Sequence, residues 1–177
     1  MTSPSKGEGE VALIALGSNL GDRYAHLASA RAAIAARQDT TLVAESDIEE
    51  TDPIGFTDQP LFLNQMIAVR TTAEPIVLLE GLLEIERAQG RVRTARWGPR
   101  TIDLDIVRFG DRHIATSALT VPHPEIGQRP FWQREIDQLR DRMLQQGMPA
   151  PGGPSTESVM PAGRGDASVA RSSHARR

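Results

Sequence analysis

The chain has 177 residues, of which 39% are hydrophobic, so a single domain with its own core is expected. Its net charge of −3 provides no overall positive field of the kind that nucleic-acid-binding proteins use. Cysteine is absent, which excludes a disulfide framework, thiol catalysis and Cys-ligated zinc or iron–sulfur sites. The first residues lack the apolar core of a signal peptide, and the apolar run at 11–16 is too short to span a bilayer, so we expect a cytoplasmic protein.

Hydrophobic periodicity and turn residues divide the chain into strands and helices. In chain order we predict a strand at 11–16, a helix at 23–37, a strand at 41–48, a loop at 51–60, a strand at 62–72, a helix starting at 75, a loop at 91–100, a strand at 102–109, a short partner at 112–115 and a helix at 131–146. Asp22 can cap the first helix, which carries Leu27, Ala30 and Ile34 on one face, and Gly90 can end the second. This order contains no run of βαβ units, so it favours an α+β domain with a mostly antiparallel sheet covered by helices.

The two ends of the chain differ in composition from its middle. Residues 1–9 are mainly Ser, Gly, Pro and charged residues, and 147–177 are rich in Gly, Pro and Ser without apolar periodicity. Such segments bury too little apolar surface to offset the entropy of ordering, so we predict that both are disordered. The folded domain is then expected at 10–146. The tail is basic, which is compatible with a solvated linker or with contact to nucleic acid.

An Asp-x-Asp pair follows an arginine-rich loop. In a strand that starts at Ile102, Asp103 and Asp105 point to the same face, with Cα atoms about 6.5–7 Å apart. Their carboxylates can converge on hard cations such as Mg²⁺ or Mn²⁺. Four guanidiniums suited to phosphate oxygens lie just upstream, at Arg91, Arg93, Arg96 and Arg100. Each motif alone is typical of a solvated surface, but together they favour a metal and polyphosphate site.

A second group of residues suits a flat heterocycle. Phe62, Phe131 and Trp132 offer aromatic faces, and Asn64 offers an amide that donates and accepts at once. Core packing is the alternative for the phenylalanines. His123 stands between two prolines and therefore on a turn, where it either contacts phosphate or serves only the turn. A Walker A motif is absent from the sequence, so we expect a nucleotide to be held by side chains and metal.

Four segments of the chain resemble those of the 6-hydroxymethyl-7,8-dihydropterin pyrophosphokinase family of the folate pathway. They are ALGSNLG at 15–21, QGRVR at 89–93, RWGPRTIDLDI at 96–106 and LTVPHP at 119–124. The resemblance extends from about residue 11 to 131. It implies a ferredoxin-like α/β sandwich. It also implies a transferase that moves the β,γ-pyrophosphoryl unit of ATP to the pterin hydroxymethyl group and releases AMP.

The resemblance also implies roles for individual residues. Asp103 and Asp105 are expected to hold two Mg²⁺ ions that bridge the ATP phosphates. The expected catalytic loop residues and ATP contacts are Glu86, Arg91, Arg93, Arg96, Trp97, Arg100, His123 and Arg129. The expected pterin-binding residues are Thr51, Pro53, Ile54, Phe62, Asn64 and Phe131. We expect ATP and the pterin as partners, with no nucleic acid and no membrane.

The resemblance weakens after Phe131. Many family members continue with an apolar stretch, whereas this chain turns helical from Trp132 onward. Three alternatives remain open at this point: a glycosyl transferase that uses Asp-x-Asp for a nucleotide sugar, a ferredoxin-like RNA-binding module, and a family member that binds pterin without turnover.

Overall fold

A computed structural model describes residues 9–92 and 98–149. The elements are β1 (Glu10–Ser18), α1 (Arg23–Ala35), β2 (Thr40–Glu45), β3 (Glu49–Thr51), β4 (Phe62–Thr71), α2 (Pro75–Ala88), β5 (Asp103–Phe109), β6 (Ile114–Ala115), β7 (Thr120–Val121) and α3 (Pro130–Gln145). The predicted α+β class with an antiparallel sheet covered by helices is confirmed. Within the described ranges, no helix is long and apolar enough to cross a membrane.

The main sheet has the order β2-β4-β1-β5, β3 also pairs with β4, and every pairing is antiparallel. The strand predicted at 41–48 ends at Glu45, and β3 starts four residues later because both segments pair with different parts of the long β4. The short strand predicted at 112–115 forms only at Ile114–Ala115. It pairs with Thr120–Val121 in a separate ribbon and not with β5, which corrects the prediction.

Apolar side chains cover both faces of the sheet. On one face, alternate residues of β1 such as Ile14 and Leu16 pack with Leu27 and Ile34 of α1 and with Leu82 of α2. On the other face, the intervening residues pack against α3; this second cluster includes Leu13, Ala15, Met66, Phe131, Trp132, Ile136, Leu139 and Met143. The domain therefore has three layers, with α1 and α2 on one side of the sheet and α3 on the other.

Local signals explain where the helices begin and end. The Ala25 N–H donates to Asp22 Oδ1 at 3.0 Å, which satisfies one of the free donors of the first turn of α1. Gly90 has a φ of 75° just after α2, a conformation that glycine adopts without steric cost. Pro130 occupies the first turn of α3, where its missing N–H costs no hydrogen bond. These positions agree with the predicted helix boundaries to within two residues.

The register of three adjacent strands prepares one end of the sheet for a ligand. Gly17 of β1 lies between Asn64 of β4 and Asp103 of β5. Two residues earlier, Ala15 lies between Met66 of β4 and Asp105 of β5, on the face that α3 covers. Because Gly17 has no side chain, the sheet leaves a hollow between an amide and a carboxylate that are about 10 Å apart.

Candidate active site

A cavity opens over Gly17 between the sheet and α3. Phe62 of β4 and Phe131 of α3 both line it. A Cβ atom at Gly17 would lie 3.4 Å from Asn64 Oδ1 and 3.8 Å from Phe62 Cδ1, so any larger side chain would fill the hollow. Two aromatic rings and an amide around an empty floor are suited to a flat, polar-edged ring.

Five of the six residues predicted to bind the pterin line this first cavity: Thr51, Ile54, Phe62, Asn64 and Phe131. The sixth, Pro53, is buried and does not line this cavity. Asn64 is 8% exposed, and its Nδ2 donates to Thr51 Oγ1 at 2.7 Å. That bond fixes the orientation of the amide, so Asn64 presents a defined polar edge to the cavity.

A second cavity adjoins the first and carries most of the charged groups. Leu79, Leu83 and Ala118 form an apolar part of its wall, while Glu86, Arg91 and His123 contribute polar groups. Four residues line both cavities: Arg100, Asp103, Asp105 and Arg129. The two cavities therefore meet at the Asp-x-Asp pair, with an arginine on either side of it.

Arginines neutralise the first aspartate. Asp103 accepts hydrogen bonds from Arg91 through Oδ1 and from Arg100 through Oδ2. Arg91 also pairs with Glu86, a residue of α2 that is 3% exposed and whose Oε1 accepts from the Leu104 N–H at 2.8 Å. Burial alone would lower the pKa of Arg91, but the carboxylates of Asp103 and Glu86 outweigh it and raise that pKa. The guanidiniums are thus held, fully charged, where an incoming anion can reach them.

Asp105 lies on the same face of β5 as Asp103, and both are partly buried. Burial, together with the nearby Asp103 carboxylate, raises the pKa of Asp105 to about 7, and Arg129 only partly opposes this. A carboxyl group with this environment is poorly solvated, and among residues 9–92 and 98–149 Asp105 forms no ion pair. Two carboxylates side by side on one face of β5 repel each other when both are charged, and a bound cation would relieve that repulsion.

His123 is held in one tautomer by its own turn. Its Nδ1 accepts from the Glu125 N–H at 3.2 Å, and burial lowers the pKa of the imidazole, partly opposed by the Glu125 carboxylate. A neutral ring whose Nδ1 accepts must carry its proton on Nε2. The ring packs edge-on against Trp132, with centroids 5.0 Å apart. His123 is therefore a fixed Nε2–H donor on the wall of the second cavity.

Arg129 connects α3 to both cavities. Its guanidinium carbon lies 4.4 Å from the centroid of the Trp132 ring, and its Nε donates to Glu125 Oε2 at 2.8 Å. Stacking on a buried tryptophan fixes the plane of the guanidinium, which leaves its position independent of a ligand. An anion that binds Arg129 would therefore share its guanidinium with the Glu125 carboxylate.

Three predicted site residues, Arg93, Arg96 and Trp97, lie outside the described residues. The sequence analysis missed Asp52 and Glu125, which line the first and second cavities respectively. Each lies beside a residue that was singled out, Asp52 next to Thr51 and Glu125 two residues after His123. Proximity to a motif was the available signal, but acidic residues on turns are too common for it to single them out.

The donor set fits a hard divalent cation that retains other ligands. Among residues 9–92 and 98–149, no three His, Cys, Asp or Glu side chains come together as a metal cage. Asp103 and Asp105 instead offer two carboxylates on one face of β5. Mg²⁺ is commonly bound by one or two carboxylates, with waters and substrate phosphates completing its shell.

Comparison with known proteins shows which family the chain is similar to. The family model of 7,8-dihydro-6-hydroxymethylpterin-pyrophosphokinase (HPPK) matches residues 13–141. A 2-amino-4-hydroxy-6-hydroxymethyldihydropteridine pyrophosphokinase of Bacillus subtilis is 46% identical over 121 residues, covering 68% of this chain and 72% of that protein. The protein of the same name from Pseudomonas aeruginosa is 44% identical over 118 residues, covering 67% of this chain and 73% of that protein.

Longer proteins contain a similar region. The folic acid synthesis protein fol1 of Schizosaccharomyces pombe is 35% identical over 127 residues, which cover 72% of this chain but only 17% of fol1. A crystal structure of an HPPK-DHPS in complex with substrates matches with a TM-score of 0.52 at 14% identity, covering 75% of this chain and 40% of that one. At this identity the structural match supports the fold alone.

Proposed function

The chain belongs to the 7,8-dihydro-6-hydroxymethylpterin-pyrophosphokinase family, and we propose that its two adjoining cavities bind the pterin and ATP on opposite sides of the Asp-x-Asp pair. The proteins of this family act in folate biosynthesis and use ATP as co-substrate. The observation that carries the assignment of sites is the shared wall: Arg100, Asp103, Asp105 and Arg129 line both cavities. Transfer of a group between two ligands requires their reacting atoms to lie close together, and the two cavities adjoin at these four residues.

The first cavity is proposed to hold the pterin. Phe62 and Phe131 are placed to stack on the two faces of the ring, and Asn64 is placed to bond its polar edge. Thr51 fixes the Asn64 amide through their 2.7 Å hydrogen bond, so the amide is oriented before the ring arrives. Asn64, Gly17 and Asp103 lie in one row across the sheet, and we propose that the ring lies along this row with its hydroxymethyl group toward Asp103.

The second cavity is proposed to hold ATP. Leu79, Leu83 and Ala118 offer an apolar surface to the adenine, while Arg91 and His123 offer donors to phosphate oxygens. The ion pair with Glu86 fixes the orientation of the Arg91 guanidinium, which we propose contacts the phosphates. Because Arg91 and Arg100 both pair with Asp103, each can exchange that carboxylate for a phosphate when the nucleotide binds.

Asp103 and Asp105 are proposed to hold two Mg²⁺ ions, which when bound would shield the phosphate charge and stabilise the leaving AMP. In the proposed transfer, a bond forms between the pterin hydroxymethyl oxygen and the β-phosphorus of ATP. The bond from that phosphorus to the AMP oxygen breaks, and the hydroxyl proton leaves to water. Arg100 and Arg129, at the junction of the cavities, are placed to neutralise the charge on the transferring group.

The role of the remaining loop is proposed from the sequence. Arg93, Arg96 and Trp97 are proposed to complete the site over the phosphates, since they lie between Arg91 and Arg100, which both contact Asp103. We also propose that the protein works in the cytoplasm, where ATP is available, and that it needs neither nucleic acid nor a membrane. The domain at 10–146 is proposed to be sufficient for these functions, without the segments at 1–9 and 147–177.

The deciding experiment is to incubate the protein with ATP, Mg²⁺ and 6-hydroxymethyl-7,8-dihydropterin and to separate the nucleotide products. We expect AMP and the pterin diphosphate in equal amounts, and no AMP when the pterin is omitted. Formation of ADP in place of AMP would contradict the proposal. Tight binding of both ligands without AMP would identify a family member that binds pterin without turnover.

A further inference from the structure

Glu125 forms an ion pair with Arg129 on the wall of the second cavity. Both side chains are partly buried, with 27% of the Glu125 side chain and 18% of the Arg129 side chain exposed. Arg129 Nε donates to Glu125 Oε2 at 2.8 Å, and Arg129 Nη2 donates to the same oxygen. One carboxylate oxygen therefore occupies two donors of a guanidinium that lines both cavities.

Both partners of this ion pair are held in place by other contacts. The Glu125 N–H donates to His123 Nδ1 at 3.2 Å, and the Gln128 N–H donates to the Glu125 carbonyl at 2.9 Å, so the turn fixes the backbone of Glu125. The Arg129 guanidinium carbon lies 4.4 Å from the centroid of the buried Trp132 ring. Because this stacking orients Arg129 without Glu125, the carboxylate acts mainly on the charge of the guanidinium.

The acid that pairs with Arg129 differs from the one shared by two other arginines of the second cavity. Arg91 and Arg100 both pair with Asp103, which the proposed function assigns to Mg²⁺. A metal ion bound by Asp103 would weaken both of these ion pairs and free the guanidiniums for phosphate. Glu125 has no part in the proposed metal site, so Arg129 stays paired after the metal binds. A phosphate that reaches Arg129 must therefore displace a carboxylate.

We propose that Glu125 competes with phosphate for Arg129, which lowers the affinity of the site for ATP and favours release of the diphosphate product. This inference rests on the proposed function, which places the transferring group beside Arg129. Binding exchanges one anion for another at the guanidinium, so the gain in affinity is only the difference between two ion pairs. When the product leaves, the carboxylate returns, and a partly buried guanidinium is not left unpaired. Because it acts through Arg129 and not on the reacting atoms, Glu125 is a positioning residue.

The test measures binding of the α,β-methylene analogue of ATP, in which the bond to be broken is inert, by calorimetry with Mg²⁺ present. The main variant is Glu125→Gln, which removes the charge and keeps an oxygen that can accept from Arg129 Nε. We expect it to bind the analogue about three- to tenfold more tightly than the wild type, with a smaller gain at high salt. Affinity for AMP, which lacks the transferring phosphates, should stay at the wild-type value. In turnover, the KM for ATP should fall without an increase in kcat.

Three further variants keep the test decisive. Glu125→Ala should also bind the analogue more tightly, because Trp132 still holds Arg129, and it covers the case in which Glu125→Gln does not fold. Asp137→Asn is the matched control, because it removes the same charge from an ion pair with Arg140 on α3 and lines neither cavity. It should leave the affinity unchanged. In an Arg129→Gln background, Glu125→Gln should give no further gain, which assigns the effect to this pair.

The outcomes separate this inference from the proposed function. A wild-type chain that does not bind the ATP analogue contradicts the proposed function. A wild-type chain that binds it, with Glu125→Gln at or below the wild-type affinity, overturns the role of Glu125 while the assignment of the cavities stands. An equal gain in Asp137→Asn would also overturn it, since net charge alone would then suffice. A full gain in the Arg129→Gln background would do the same, because Glu125 would then repel the phosphates directly.

Discussion

Glu135 provides a direct test of how burial acts on this fold. It lies on the sheet-facing side of α3, is 1% exposed, and neither carboxylate oxygen has a hydrogen-bond partner among the described residues. Burial, reinforced by the Glu49 carboxylate and partly opposed by Arg134, raises the pKa of Glu135 from 4.5 to about 8. The folded protein therefore keeps the Glu135 proton across the neutral range.

The sign of the effect on stability follows from proton binding. In the unfolded chain Glu135 releases its proton near pH 4.5, whereas in the folded chain it does so only near pH 8. Between these values the folded state binds more protons, so the free energy of unfolding falls as the pH rises. Each pH unit costs about 1.4 kcal/mol, which gives about 4–5 kcal/mol over the whole interval. Above pH 8 the loss is complete and the curve levels off.

The perturbation is Glu135→Gln, which keeps the size of the side chain and removes its titration. Urea unfolding of both proteins from pH 5 to pH 9 gives the difference in unfolding free energy at each pH. We expect near-equal stability at pH 5 and an increasing advantage of the variant up to pH 8, reaching several kcal/mol. A difference that stays constant over this range, or one that favours the wild type as the pH rises, would refute the reasoning.

Further predictions concern the site. Asp103→Ala and Asp105→Ala should each abolish AMP formation at saturating Mg²⁺ while unfolding stays cooperative, since each removes several kcal/mol of charge stabilisation; near-normal turnover in both would contradict the metal assignment. Asn64→Ala should weaken pterin binding by roughly 1–3 kcal/mol in calorimetry, with ATP binding little changed. His123→Gln should retain more turnover than His123→Asn, because glutamine can place a donor near the Nε2 position. Trp97 fluorescence should change when the ATP analogue and pterin bind together, and an unchanged signal at saturation would contradict its role over the phosphates.

The sequence pattern predicted the long strands of the sheet but not the short strands or their pairing. The apolar run at 11–16 identified β1, and the alternation at 62–72 identified β4; both strands are buried along most of their length. β3 and β7, with three and two residues, contain too few positions for any periodicity. Their positions depend on neighbouring strands, so the sequence could not distinguish them from loops.

Some features of the candidate site were predictable from the sequence and others were not. Asp103 and Asp105 were predictable because strand geometry alone places alternate residues on one face. The pairing of Asp103 with Arg91 was not predictable, because four arginines lie within twelve residues of Asp103 in the sequence. Among the described residues, Arg91 and Arg100 form ion pairs with it. The role of Gly17 as the floor of the first cavity depends on the register with Asn64 and Asp103, which only the folded sheet defines.

The helix α3 contributes to the candidate site as well as to the core. It begins at Pro130, so Phe131 and Trp132 occupy its first turn, where one faces the first cavity and the other supports Arg129 and His123. The resemblance was expected to weaken after Phe131, but the family model matches the chain as far as residue 141. The residues after Phe131 supply Ile136, Leu139 and Met143, which pack on the sheet face covered by α3. Packing of this helix therefore fixes Phe131 together with Arg129 and His123. On the proposed assignment of the cavities, a change in the core under α3 should weaken binding of both substrates, whereas a change at Asn64 should weaken binding of the pterin alone.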